Sequence, residues 1–274
     1  MKHLDDIDIQ TEEFAEFYDE LPLWSAPFGL AMLDRVPIRA GQTILDVGAG
    51  SGFLSIELAQ RCGPGTRVIA VDPWAPVARR LRRRLARLGL AGVEVVDRDA
   101  ATLDLPGESV DLIVSNLGIN NFENADHVLR VCHRVAKPGA SLVLTTNLSG
   151  HMAEFYEVLR ATLVELGQHD RVAGLEQHIA HRGTVESVSA RLVSAGFRIH
   201  DFVRSGFRMR FADGTALLRH AFIRMGFMPA WKAILRDGTV AESMAKLEAN
   251  LNAVAARRGE LALTVPTALI EGRK

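Results

Sequence analysis

Cysteine is nearly absent from this chain: Cys62 and Cys132 are the only two in 274 residues. Two distant cysteines make neither a disulfide framework nor a zinc-ligand spacing. They point to a reducing, cytoplasmic setting, and no metal site is expected. No run of about 18 apolar residues occurs, so no segment reads as a bilayer span. Charge of one sign is missing too. Lysine and arginine total 32 against 33 aspartates and glutamates, a net charge of −1. Such a balance gives no global field toward nucleic acid or a membrane surface. Residues 1–10 carry Asp5, Asp6 and Asp8 and no apolar core, unlike a secretory leader. There is no internal repeat and no low-complexity linker. Apolar residues at 48 % and charged residues at 24 % are ordinary for a globular protein. The length suits one α/β domain with additions, or two small domains.

The most informative segment that is present runs from Thr43 to Leu54, Thr-Ile-Leu-Asp-Val-Gly-Ala-Gly-Ser-Gly-Phe-Leu. A short apolar strand passes straight into a glycine-rich turn and then a helix. A second apolar strand, Arg67 to Val71, ends on Asp72. Strand, glycine loop, helix, strand and acid in this order is how open α/β sheets hold a nucleoside. Gly48, Gly50 and Gly52 permit backbone angles closed to other residues and let the main chain lie against a ligand. Asp72, at a strand's carboxyl end, can accept hydrogen bonds from ribose hydroxyls. The glycines fall as GxGxG. Dinucleotide folds usually read GxGxxG, and Phe53 stands where their third glycine would be.

This loop resembles motif I of the class I S-adenosylmethionine-dependent methyltransferases. Asp72-Pro73-Trp74 resembles that family's ribose-binding acid and its neighbours. Asp99-Ala100 resembles the segment beside the adenine, and Asp111 to Asn116 the fourth strand. Arg134 to Ala140 resembles the turn before strand five. The matches span about 40 to 147 in the family's order. Two departures, Arg98 and Ala140 where the family often has glycine, touch no group the cofactor needs. The resemblance implies S-adenosyl-L-methionine as cofactor and S-adenosyl-L-homocysteine as product. It assigns Asp46, Gly48, Ala49, Gly50, Gly52, Asp72, Pro73, Trp74, Asp99, Ala100, Asn116 and Leu117 to cofactor binding.

The expected fold is a Rossmann-like, doubly wound sheet of seven strands, mostly parallel with an antiparallel edge strand. Strands are predicted at 43–47, 67–72, 93–97, 110–115, 140–146 and 197–204, and the antiparallel edge strand within 260–274, at Thr267 to Glu271. Helices are predicted near 52–62, 76–89, 123–135 and 184–195, the last capped by Thr184. The chain is read as one domain of residues 1–274: an N-terminal helical lid at 10–38, a cofactor-binding core at 40–204, a helical cap at 205–258 and the last strand. Within the cap, Asp213 starts a helix running through Leu217, Leu218, Ala221, Phe222 and Met225, and another spans 240–257. A smaller elaboration occupies 148–183. Related methyltransferases write substrate choice into such additions.

Methyl transfer from a sulfonium is an in-line displacement whose leaving group is already good. Alignment and exclusion of water then supply much of the acceleration. Asn116 and its neighbours to Asn121 are candidates for the transfer site, against a plain polar turn. His151, five residues past strand five, is a candidate base for a proton-bearing acceptor. His220 is another, and His178 and His181 are weaker ones. Trp24, Tyr18 and Phe28 of the lid are aromatic candidates that could equally pack their own helices. In the cap, Arg208 and Arg210 stand among aromatics, which suits an apolar small molecule bearing a carboxylate or phosphate. The loop after strand four lacks the Asn/Asp-Pro-Pro-aromatic signature of enzymes that methylate exocyclic amines. The run Arg79 to Leu88 has leucines at 81, 85 and 88 on one helical face, so its arginines read as a solvated face. The expected activity is methyl transfer to a small-molecule acceptor by a monomer or homodimer. Nucleic acid and membrane are not expected as partners. Rival readings are a non-catalytic sensor or assembly protein that keeps the cofactor, an RNA methyltransferase, and an NAD-dependent oxidoreductase.

Overall fold

The structure, a computed structural model, describes residues 10–19 and 24–274. Residues 1–9, and 20–23 between the two expected lid helices, lie outside it. Clustering of the chain gives two compact units. The first, here the core unit, holds the described residues up to Thr146 together with Thr184–Ser205 and Thr267–Lys274. The second holds Asn147–Gly183 and Gly206–Pro266. The elaboration after strand five and the region read as a cap therefore belong to one unit, although 22 residues of the core unit separate them in the chain.

In chain order the elements are α1 (Glu12–Asp19), α2 (Ser25–Leu33), β1 (Thr43–Val47), α3 (Phe53–Cys62), β2 (Arg67–Val71), α4 (Ala75–Leu88), β3 (Val93–Val96) and β4 (Val110–Asn116). Then come α5 (Ala125–Val135), β5 (Ala136–Asn147), α6 (Ala153–Glu165), α7 (His169–Ala180), α8 (Val185–Ser194) and β6 (Arg198–Phe211). Next are α9 (Gly214–Arg219), α10 (Ala221–Gly226), α11 (Met228–Ile234), α12 (Val240–Arg258) and β7 (Leu261–Arg273).

The seven strands form one sheet in the order β3-β2-β1-β4-β5-β7-β6. β1 pairs in parallel with β2 and β4, β2 with β3, and β4 with β5. β7 runs the other way. Gly139 and Ala140 bond to Lys274, whereas Leu148 bonds to Pro266, so rising positions on one strand meet falling positions on the other. The antiparallel strand is thus present, but it lies one place in from the rim, and β6 is the outermost strand on that side. β5 is longer than predicted because it begins at Ala136, which pairs with Val110 of β4 ahead of an irregularity in the register. β1, β2 and β4 are short, buried and rich in branched apolar residues, the composition of strands covered on both faces.

One core cluster ties α2 to the sheet, running from Met32 and Val36 through Ile44, Leu54, Leu81 and Leu112 to Leu269. On α4, Leu81 is 1 % exposed but Leu88 is 48 % exposed. The predicted apolar stripe is therefore buried at Leu81 and Leu85 and ends before Leu88. The arginines of α4 are engaged by α1: Arg79 and Arg83 bond to Glu12, and Arg80 pairs with Glu16.

In the second unit the helix predicted from Asp213 begins as expected, with the Asp213 carboxylate accepting from the Ala216 amide at 2.7 Å. It breaks at His220, whose backbone is extended, and restarts as α10. The break turns Ile223, outside the predicted stripe, into the core, where it is fully buried. Phe155 of α6 and Trp231 of α11 stack at 3.9 Å, and both are buried. Among the described residues no helix is long and apolar enough to cross a membrane. No group of metal-ligating residues occurs among them either, and both cysteines are buried and free.

Candidate functional site

The glycine loop after β1 is built as a cradle. Gly48, Gly50 and Gly52 have φ of 75°, 54° and 87°, all in the left-handed region. A side chain is costly there for any L-residue. At Gly52 it is excluded sterically as well, since a Cβ would stand 2.2 Å from Leu81 Cδ1. At Gly48 it would stand 3.1 Å from the Cα of Gly118. At Gly50 no atom lies within 4 Å of the Cβ position, so the loop is open on that side. The Gly48 and Ala49 amides donate to Val71 O of β2, and the Ser51 carbonyl accepts from Arg84 of α4. The loop is thereby clamped between β2 and α4.

Two carboxylates meet at this cradle. Asp46, on β1, is buried. One oxygen accepts from Ser55 Oγ at 2.6 Å, and the other, Oδ1, is buried with no hydrogen-bond partner. Burial, with the nearby charge of Asp72 adding to it and the Ser55 hydroxyl opposing it, pushes Asp46 up to about 7. Asp72 accepts from the Gly50 amide at 2.8 Å through Oδ2 and from the Trp74 amide at 2.9 Å through Oδ1. Its own pKa is raised, by burial first, against the pull of those two amides. Each carboxylate oxygen of Asp72 keeps a second lone pair for a hydroxyl donor.

An aromatic wall stands beside Asp72. Trp74 packs edge-on to Tyr18 at 5.4 Å and against Phe14 at 5.6 Å. Tyr18 feels both burial and the Asp72 charge, which raise its pKa. Pro73 is exposed. Ala100 is buried, while exposed Asp99 caps the turn 100–102 through the Ala101 amide at 2.8 Å.

At the end of β4, Asn116 is held on both sides of its amide. Its Nδ2 donates to Ser25 O of α2 at 3.1 Å, and its Oδ1 accepts from Thr145 Oγ1 of β5 at 2.7 Å. The side chain thus fastens α2 to two strand ends. Leu117 follows at φ 65°, a left-handed conformation that a branched residue adopts only when its surroundings enforce it. Asn120 Oδ1 accepts from Thr146 Oγ1 at 2.6 Å, and Asn121 is exposed. The structure therefore brings together Asp46, the loop glycines, Asp72, Trp74 and Tyr18, with Asn116 held at the neighbouring strand end. Trp24 sits ahead of α2 and packs on Phe28 at 5.6 Å.

The remaining candidates belong to the second unit. His151 is buried, edge-on to Tyr156 at 5.7 Å and beside Phe227 at 6.3 Å. Burial, then Arg182 and His178, drive its pKa down to about 3. Burial thus disfavours the protonated form that the histidine-base expectation asks His151 to reach. His220 packs on Phe211 at 5.7 Å, its buried Nδ1 has no hydrogen-bond partner, and burial lowers its pKa. Arg208 is exposed, and Arg210 is exposed and held by Glu260 through three contacts of 2.5 to 3.0 Å. Ser55, Tyr156 and Arg182 were not foreseen. Ser55 had a readable signal, a small hydroxyl on the first turns of the helix that follows the loop. Tyr156 and Arg182 had none, because only folding brings 156 and 178–183 together.

Residues 44–139 match the methyltransferase domain family. Over 113 residues the chain is 32 % identical to the ubiquinone/menaquinone biosynthesis C-methyltransferase UbiE of Escherichia coli. That alignment covers 41 % of this chain and 45 % of the relative, so the chain spans about half the length of the curated relatives it matches. A SAM dependent methyltransferase from Aquifex aeolicus superposes with a TM-score of 0.53 at 22 % identity, over 70 % of this chain and 92 % of that one. The YcgJ protein of Bacillus subtilis superposes with a TM-score of 0.59 at 17 % identity, over 91 % and 98 %. The fold is that of the solved SAM dependent methyltransferase on which the chain superposes, and residues 44–139 are the part similar to a methyltransferase domain.

Proposed function

We propose that the core unit binds S-adenosylmethionine and that the protein transfers its methyl group to a small organic molecule. The observation that carries this reading is the orphaned, buried Asp46 Oδ1 beside an open glycine cradle. A buried carboxyl oxygen without a partner costs free energy of order 1–3 kcal/mol unless something supplies a donor. The amino group of a methionine moiety is a donor of the right charge. The other residues fit the remaining parts of the cofactor. Asp72 has free lone pairs for two ribose hydroxyls. Trp74, with Phe14 and Tyr18 behind it, offers an apolar face to the adenine, and Ala100 a buried neighbour. Gly48, Ala49 and Gly50 let the main chain lie against the methionine part.

When bound, the cofactor supplies a methyl group on a sulfonium with a neutral thioether as leaving group. The chain's own work is to bind, orient and exclude water. Asn116 acts by holding α2 over the ends of β4 and β5, with one amide proton and one lone pair used for that task. The relatives' name brings a carbon acceptor to this chain as one candidate among small organic acceptors.

The test is calorimetry with S-adenosylhomocysteine in buffers of different ionisation enthalpy. Because Asp46 is about half protonated at neutral pH, placing an ammonium beside it should release a fraction of a proton on binding near pH 7. Loss of that release in Asp46→Asn, with transfer of labelled methyl from S-adenosylmethionine to a small-molecule extract, is the expected result. Binding of NAD and no binding of S-adenosylhomocysteine would overturn the reading.

A further inference from the structure

Ser55 stands in the first turn of α3, and its hydroxyl spans the glycine loop. It donates to Asp46 Oδ2 of β1 at 2.6 Å. Both residues are buried, Ser55 at 0 % and Asp46 at 1 % exposure. A serine inside a helix can turn its hydroxyl back to the carbonyl four residues earlier. Here that carbonyl is Ser51 O, and it accepts from Arg84 Nη1 of α4 at 2.9 Å. The Ser55 hydroxyl reaches instead across Gly48, Gly50 and Gly52 to the strand end, nine residues back. A hydrogen bond thus closes the loop at its base. The carboxylate in that bond has one oxygen held and the other, Oδ1, without a partner.

The elements packed on β1 leave this task to Ser55. On β2, Asp72 places a second negative charge near Asp46 and so opposes its ionisation. On β4, the Ser115 hydroxyl donates to Val47 O at 2.7 Å, while Asp111 is held by the Thr43 amide and by Lys137 at the other end of β1. On α3, Glu57 and Arg61 pair with each other at 3.0 Å. α2 carries no ionisable side chain. Among the described residues Ser55 is therefore the one side chain that donates to Asp46. Burial pushes Asp46 up to about 7, and the Ser55 hydroxyl is the strongest influence in the other direction.

We propose that Ser55 is a positioning residue of the cofactor site: its hydroxyl fixes Asp46 Oδ2, which leaves Oδ1 as the acceptor for the ammonium of the cofactor's methionine part. This rests on the S-adenosylmethionine reading and deepens it at one residue. A carboxylate fixed by a second residue presents the same oxygen in every molecule, so little ordering remains when the ligand arrives. Where Asp46 is protonated before binding, its proton leaves to solvent and the carboxylate then faces the ammonium.

The test compares two ligands by calorimetry on the full-length protein. S-adenosylhomocysteine carries the ammonium, and methylthioadenosine has the same nucleoside and sulfur without it. In the wild type the preference for S-adenosylhomocysteine should grow about fivefold or more from pH 6 to pH 8, as Asp46 ionises around 7. Taking the ratio cancels any effect of Asp72 on the ribose, which both ligands share. Ser55→Ala should lower S-adenosylhomocysteine affinity about tenfold at pH 7 and methylthioadenosine affinity by less than about twofold. It should also move the rise in the ratio to higher pH and enlarge the proton release at pH 7, because Asp46 loses a donor that favours its charged form. A loop merely distorted by the substitution would weaken both ligands alike and leave the rise where it was, and that result overturns the proposal. A ratio that does not change with pH in the wild type overturns it without any variant, so a misfolded Ser55→Ala does not shield it. In that case the S-adenosylmethionine reading still stands if both nucleosides bind. Absence of binding by either nucleoside strikes that reading, and the role of Ser55 falls with it.

Discussion

The two units bury opposite charges. In the core unit the ionisable groups gathered at strand ends around the glycine loop are acids, buried Asp46 and half-buried Asp72. In the second unit the buried ionisable side chain is His151, edge-on to Tyr156, with His178 half-buried against the same ring. One physical cause, removal from water, acts in both places and drives each group toward its neutral form. Asp46 rises to about 7 and His151 falls to about 3. Among the described residues, the core unit leaves the Asp46 Oδ1 without a donor, and the second unit holds His151 away from water.

Breaking the cradle should have the largest effect. Gly52→Val places a side chain where φ is 87° and where Leu81 already stands. We expect a loss of stability of ~2–5 kcal/mol in urea unfolding and no measurable S-adenosylhomocysteine binding. Unchanged binding would show that the loop does not touch the ligand.

The pH response sharpens the contrast between the units. For Asp46 the folded pKa lies above the unfolded 3.8, so the folded state holds the extra proton and stability falls as pH rises from about 4 to 7. For His151 the folded pKa lies below the unfolded 6.5, so the unfolded state holds the extra proton and stability rises from about pH 3 to 6.5. Each slope approaches ~1 kcal/mol per pH unit, and between about 4 and 6.5 the two oppose. Asp46→Asn should therefore make the protein clearly more stable at pH 6.5 than at about 4.5, and His151→Gln should do the reverse. Equal urea midpoints in both variants at both pH values would erase the distinction.

A smaller effect is expected at Asp72. Replacement by Asn leaves one acceptor for two amide donors and removes the charge from the proposed ribose site. S-adenosylhomocysteine affinity should fall ~10- to 100-fold, the range for hydrogen bonds to a charged group, while the melting temperature changes little because a buried charge is also removed. Smallest of all, Leu88→Ala should cost less than ~0.5 kcal/mol, whereas Leu81→Ala two turns earlier on the same face should cost ~2–5 kcal/mol.

The core unit was the more legible of the two for a physical reason. Its site lies at the ends of adjacent strands, and each strand ends in a short local signal: Gly48 to Gly52 after β1, Asp72 after β2, Asn116 after β4. Such signals need only nearest neighbours in the chain. The second unit is assembled from segments 147–183 and 206–266, so Tyr156, His178 and Trp231 become neighbours only through long-range packing. Periodicity also failed at particular places there, as at His220, where a continuous helical pattern is interrupted so that Ile223 can be buried. The prediction for Arg210 went to a residue whose charge is already met by Glu260.

What the sequence alone determined was the nucleoside-binding half: alternating strands and helices, the GxGxG turn and the acids at strand ends, all dictated by local backbone requirements and by period. Tertiary structure decided the order in which β7 enters between β5 and β6, the fastening of Asn116 to α2, and which buried charges go without partners. Those depend on which distant segments exclude water from one another, and burial is a property of the folded chain.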